Sequence, residues 1–264
     1  MLNNAVRKFI SAFAYLIGYK FDDSGEKIAA YKYDWAGWFP IVGFIFAVFA
    51  GLIAEGFLVI FPKAIAAFLT IITIYSLTRF ISLRSIAKMM CEFYSIKKQD
   101  SNSDEESRLI WNAHSAETFA VLSSIFCKTL CLCEMPDELF APAVATSIVV
   151  SRCWILTIII LVPARNEDSI IYGLQQNIKM LVLIFTGTFA VAASGLFAGF
   201  AGITTVWLSV IVIAIFGVFC TKKLGGTTQA SVLSSGELTE IMCLLTFASA
   251  PVQQIVLKTG ISFF

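Results

Sequence analysis

Long apolar runs, each close to the length of a bilayer crossing, recur along almost the whole 264-residue chain. A transmembrane helix needs about 20 predominantly apolar residues to cross a ~30 Å hydrocarbon core. The composition removes the alternative of one large soluble core: 58% of residues are hydrophobic and 14% charged, against roughly 45–50% and about 25% in soluble domains. The sequence therefore predicts an all-α, polytopic membrane protein in a single integral membrane domain, residues 1–264.

Seven spans are predicted: Trp35–Phe61, Lys63–Leu83, Ser115–Cys133, Leu139–Val162, Ile178–Phe200, Ile203–Thr221 and Leu238–Leu257. Six to eight crossings are compatible with the pattern. Ahead of them Val6, Phe9, Ile10, Phe13, Leu16 and Ile17 recur at helical spacing, with Arg7, Lys8 and Ser11 opposite. That pattern predicts an interfacial helix lying on the membrane. Residues 1–19 lack a small-x-small cleavage site before Lys20, so no cleaved leader is expected.

Basic residues orient the spans. Fifteen of the nineteen Lys and Arg fall on the side of the N-terminus, among them Arg79, Arg84, Lys88, Arg108, Arg165, Lys222 and Lys223. Lys63 and Lys258 fall on the other side, and Lys128 and Arg152 fall inside spans. The positive-inside rule then places the N-terminus in the cytoplasm. The net charge of +1 gives no basic excess to point to nucleic acid.

Residues 84–114 form the longest cytoplasmic loop, which reads either as a solvated connector or as a face that handles a charged ligand. All seven cysteines except Cys91 lie in apolar stretches and read as packing residues. The single His114, like Trp111, sits at a predicted interface and excludes a multi-histidine metal site. Lys128 and Arg152 each cost roughly 2.5–3.5 kcal/mol in lipid. Lys128 is expected to snorkel to the surface, while Arg152 faces either a ligand or a structural partner.

The last cytoplasmic stretch, Leu224 to Glu240, carries Gly225-Gly226 behind Lys222-Lys223, then Thr228 and Glu237-x-x-Glu240. Carboxylates near a helix start are favoured by its dipole alone. The other reading is a surface site in which glycine N–H groups and lysines hold phosphate while carboxylates hold a divalent ion. No P-loop spacing is present.

With Phe39-Pro40-Ile41-Val42-Gly43, with Ser151-Arg152 followed by Pro163 and Arg165, and with Leu224-Gly225-Gly226-x-Thr228…Glu237-x-x-Glu240, the chain resembles the cobalamin synthases, the adenosylcobinamide-GDP ribazoletransferases. The order of these patches extends the resemblance over nearly the whole chain. It implies a transferase in the bacterial or archaeal cytoplasmic membrane, with corrinoid and nucleotide small molecules as partners alongside lipid. Such a transferase joins adenosylcobinamide-GDP to α-ribazole or its 5′-phosphate and releases GMP. It also implies Mg²⁺, with catalytic roles at Glu237, Glu240 and Arg152 and metal ligation by Glu237, Glu240, Glu106 and Glu92. Asp168 is a further candidate carboxylate for that set. Substrate contacts carry over to Gly225, Gly226, Thr228, Lys222, Lys223, Arg108 and Arg165. A homo-oligomer is compatible with this reading.

The chain departs from the family where the family is most acidic. The H-x-D-G-x-A-D-x-x-D run is here Arg79–Phe93 with Glu92 as its only carboxylate, R-D-S-R survives as Glu106-Ser107-Arg108, and the Asp of a Gly-Asp pair is Ala230. Arg84 and Lys88 stand in the same run. A unit charge ~4 Å from a surface metal is worth about 4 kcal/mol, so this exchange weakens any Mg²⁺ site. The alternatives are a catalytically inactive relative serving as a membrane binding or scaffold subunit, and a small transporter. Against the transporter stand the absence of an internal repeat and the gathering of charge at one face.

Overall fold

The computed structural model describes residues 2–17, 35–98, 103–166, 170–178 and 180–249, with side chains described outside 2–4, 94–98, 103–113 and 170. Among these described residues nine α-helices follow in order: α1 (Leu2–Ile17), α2 (Phe39–Ile60), α3 (Lys63–Leu77), α4 (Ile81–Lys98), α5 (Ser103–Glu134), α6 (Asp137–Leu161), α7 (Ile170–Asn177), α8 (Met180–Phe219) and α9 (Gln229–Ala248). The all-α membrane architecture is what the apolar runs dictate, because a helix satisfies its own backbone where no water can.

Among the described residues, α2, α6, α8, α9 and the His114–Glu134 part of α5 are each long and apolar enough to span a bilayer. The bent α3–α4 pair makes a sixth such unit. At 40 residues α8 is too long for one crossing, since 1.5 Å per residue gives about 60 Å. It folds back at Ala198 (φ −136°) and Gly199 (φ 55°). A Cβ on Gly202 would collide with the carbonyl of Ser194, and Gly195 lies 3.6 Å from the Ile203 side chain in the same sense. The two limbs, 180–197 and 200–219, thus form a hairpin, which brings the apolar passes among the described residues to seven when the bent α3–α4 pair counts as one.

α6 is the hub. Its side chains from Leu139 to Ile159 are all buried, and α2, α8 and α9 pack around it. α2 meets it through small residues: a Cβ on Gly43 would lie 2.6 Å from Arg152 Cβ, and one on Gly51 would lie 3.5 Å from Ala145 Cβ. With Ala47, Ala50 and Ala54 buried on the same helix, this is a small-residue seam that lets two backbones approach closely. The outward faces stay apolar, with Phe49, Val59, Phe119, Leu181 and Trp207 more than half exposed. Lipid is the solvent that accepts such a surface.

α1 is a separate amphipathic helix whose Ala12, Tyr15 and Leu16 are buried. Tyr15 stacks on Phe39, and Phe9 meets Trp38 edge-on. Arg7 stays exposed, and so do Val6, Ile10 and Phe13 on the apolar side.

Two expectations change. The second predicted span breaks after Leu77: Arg79 and Phe80 adopt positive φ (51° and 57°) and α4 leaves α3 at 79°. The polar segment 84–114 is helical in its described residues, shared between α4 and α5, rather than an open connector.

Candidate functional site

α9 begins nine residues earlier than the sequence places it, at Gln229, where Thr228 closes a capping box with Ser231. The Ser- and Gly-rich stretch that reads as a loop is helix. Ser234 and Ser235 return their hydroxyl protons to the carbonyls of Ala230 and Val232 at 2.7 and 2.6 Å. Gly236 admits Ile155 of α6, whose Cδ1 would stand 2.8 Å from a Cβ there. Glu237 and Glu240 therefore lie roughly 12 and 16 Å along the helix axis from its start, inside the bundle instead of at its surface.

Lys128 meets them there. Its ammonium is 2.6 Å from Glu237 Oε1 and 2.6 Å from Glu240 Oε2. Ser124 Oγ, 2.5 Å away, and the Tyr75 hydroxyl also donate to Glu237 Oε1. Ser151 Oγ lies 3.0 Å from Glu240 Oε1, and Arg152 Nη2 stands 3.6 Å from the same oxygen. Lys128, Arg152, Glu237 and Glu240 are all at most 5% exposed. Two cations and two anions cancel, which is how four charges persist at this depth. Lys128 does not snorkel: on α5 it is buried, paired with α9 through both glutamates, and 5.0 Å from the ring centroid of Tyr75 on α3. Arg152, left open between ligand and partner, has Glu240 as its partner.

The packing around this network is tight, and two of its polar atoms, Arg152 Nε and Glu237 Oε2, have no hydrogen-bond partner among the described residues. The network also answers the expected metal set. Mg²⁺ demands near-octahedral oxygen ligation, but an ammonium already bridges Glu237 and Glu240, with a guanidinium beside it. Glu92 is elsewhere, accepting a 2.8 Å bond from Thr228 Oγ1 at the start of α9. No cluster of three His, Cys, Asp or Glu suited to a metal occurs among the described residues. The carboxylates do not fit the ion. Glu106, Arg108 and Asp168 lie outside the described side chains.

A second cluster forms where α6 and α8 end on the same face. A π-helical turn, Cys220–Leu224, closes at Gly225 (φ 71°). Gly226 (φ 134°) then passes so close to the next loop that a Cβ would stand 2.8 Å from Pro163 O. Thr227 N–H donates to Pro163 O at 2.8 Å, and Arg165 N–H donates to Thr227 O at 3.0 Å. The glycine amides are not free to cradle phosphate: Gly225 and Gly226 N–H both turn back to Cys220 O. Thr228 N–H goes to Ser231 Oγ. What faces outward is basic, namely the exposed side chains of Lys222, Lys223 and Arg165.

The patches quoted from distant parts of the sequence are thus neighbours. Gly43 lies on Arg152, Arg152 pairs with Glu240, and the Pro163–Arg165 loop bridges Gly226-Thr227. Sequence reasoning sent Lys128 to the surface and did not name Tyr75 or Ser124, yet all three bind Glu237, and Lys128 joins it to Glu240. No protein-family model, curated protein or solved structure matches this chain.

Proposed function

We propose that this chain is a membrane-embedded relative of the cobalamin synthases that binds a phosphate-bearing amphiphile at its basic end and does not perform the metal-dependent transfer. One observation carries the reading: Lys128 is seated between Glu237 and Glu240, so the carboxylates that a Mg²⁺ site needs are neutralised from within. Displacement at phosphorus builds charge that metal ions ordinarily offset, and Glu92, hydrogen-bonded to Thr228, is the described carboxylate left near the basic end. The resemblance supplies the ligand class, a nucleotide-activated corrinoid, for which Lys222, Lys223 and Arg165 provide three cations at one loop pair. The positive-inside rule turns this end to the cytoplasm, and the resemblance implies a bacterial or archaeal cell.

The active-transferase reading keeps one point in its favour, that Glu92 stands beside Thr228 at the basic end. Purified full-length protein in detergent, given adenosylcobinamide-GDP, α-ribazole and Mg²⁺, separates the two. Saturable binding of adenosylcobinamide-GDP with GMP no higher than a protein-free control is expected. GMP release approaching that of an active cobalamin synthase run alongside overturns the loss of chemistry; absence of binding overturns the ligand class.

A further inference from the structure

The second limb of α8 packs on the C-terminal half of α6, touching it where Trp154 bonds Ser209 and where Gly217 meets Val162. Between them runs a groove of about 390 Å³, floored by Trp154, Ile158 and Ile213, edged by Ala214 and Val218, and ended by Lys222. Binding pockets for small molecules span roughly 300–1,000 Å³, so the groove is large enough for a ligand. Its lining is apolar apart from Thr157, Thr221 and Lys222, since the Trp154 indole N–H is already spent on Ser209 at 2.6 Å. From Val210 to Lys222 it extends roughly 18 Å along the helix axis.

We infer that this groove holds one acyl chain of an anionic phospholipid whose phosphate rests on Lys222. The direction of the groove matches a lipid in the leaflet at the basic end, with its head at the helix terminus and its chain directed toward mid-membrane. Two observations select this occupant. A cation stands at one end only, and the wall's Thr157 and Thr221 hydroxyls already donate to Cys153 O and Gly217 O. Lys223 is on the same turn and is also exposed, yet it does not line the groove, so the two lysines differ in role. No residue of the Lys128 network lines the groove; Lys222 is shared with the basic end proposed above, but the inference rests on the groove and not on the corrinoid ligand.

The test is native mass spectrometry of the full chain, delipidated in detergent and titrated with dioleoylphosphatidylglycerol or dioleoylphosphatidylcholine. The wild type should retain phosphatidylglycerol several-fold better than phosphatidylcholine. Lys222→Glu should abolish that preference, a change of at least about five-fold, as expected for losing one basic residue at an anionic surface. Lys223→Glu should lower retention less. Ala214→Trp, which fills the groove from its exposed edge, should lower retention of both lipids while thermal unfolding stays at the wild-type temperature. If that variant does not fold, Val218→Trp makes the same test. Equal retention of the two lipids by wild type overturns the proposal. So do equal effects at Lys222 and Lys223, which indicate surface charge alone, and an undiminished response in the filled groove, which places the chain elsewhere.

Discussion

Replacing Lys128 by Met keeps most of the side-chain volume and removes one charge from a network that is otherwise balanced. Glu237 and Glu240 then face a single guanidinium, which stands 3.6 Å from Glu240, and Glu237 keeps only the hydroxyls of Tyr75 and Ser124. Removing one partner of a buried ion pair costs about 3–5 kcal/mol, because the remaining charge is left uncompensated. Adding Glu237→Gln restores neutrality, with Arg152 and Glu240 as the surviving pair. The double variant should be more stable than the sum of the single changes by roughly 0.5–3 kcal/mol, the usual coupling range for contacting residues. Thermal unfolding in detergent can be followed with a thiol-reactive dye, since Cys153 and Cys243 are buried and free until the bundle opens. A Lys128→Met cost below about 1 kcal/mol, or strict additivity in the cycle, refutes the claim that Lys128 neutralises the pair.

Three other outcomes follow from the packing. Gly43→Leu drives a side chain into Arg152, whose Cβ a bare Cβ already meets at 2.6 Å; the same unfolding assay should show a loss of at least 1–3 kcal/mol, as overpacking does. Thr228→Ala removes the α9 capping box and the bond to Glu92, and should cost about 1 kcal/mol by the value of a helix cap. Gly226→Ala places a Cβ 2.8 Å from Pro163 O in a backbone at φ 134°. It should break the Thr227–Pro163 bridge, visible as faster amide hydrogen exchange at Thr227 and Arg165, while Gly225→Ala, with open space around its Cβ position but φ 71°, should disturb the bridge less.

Much of the architecture was readable because membrane helices advertise themselves by length. Forty consecutive residues of α8 exceed one crossing, so a turn had to fall near Gly199. The break after α3 had no such signal: Arg79 and Phe80 carry the left-handed backbone, and neither Gly nor Pro marks the place. The site was half readable. Glu237, Glu240 and Arg152 stood out by charge, but a transfer scale counts Ser231, Ser234, Ser235 and Gly236 as polar and so starts α9 too late. Within a bundle, serines bond their own carbonyls and glycine admits the neighbouring helix. A helix start at Gln229 moves the two glutamates inward, and only then does an intramembrane lysine on α5 have an obvious reason to stay buried. A lone Lys128 in lipid is costly enough to demand a partner, and that cost was the signal pointing to the pair.

The proposal seats an internal ammonium, Lys128, where the resemblance implies a metal. Isothermal titration of Mg²⁺ into the purified, lipid-reconstituted protein tests it most directly. No saturable heat above the buffer blank is expected for wild type. A saturable Mg²⁺ signal that disappears in Glu237→Gln or Glu240→Gln contradicts it.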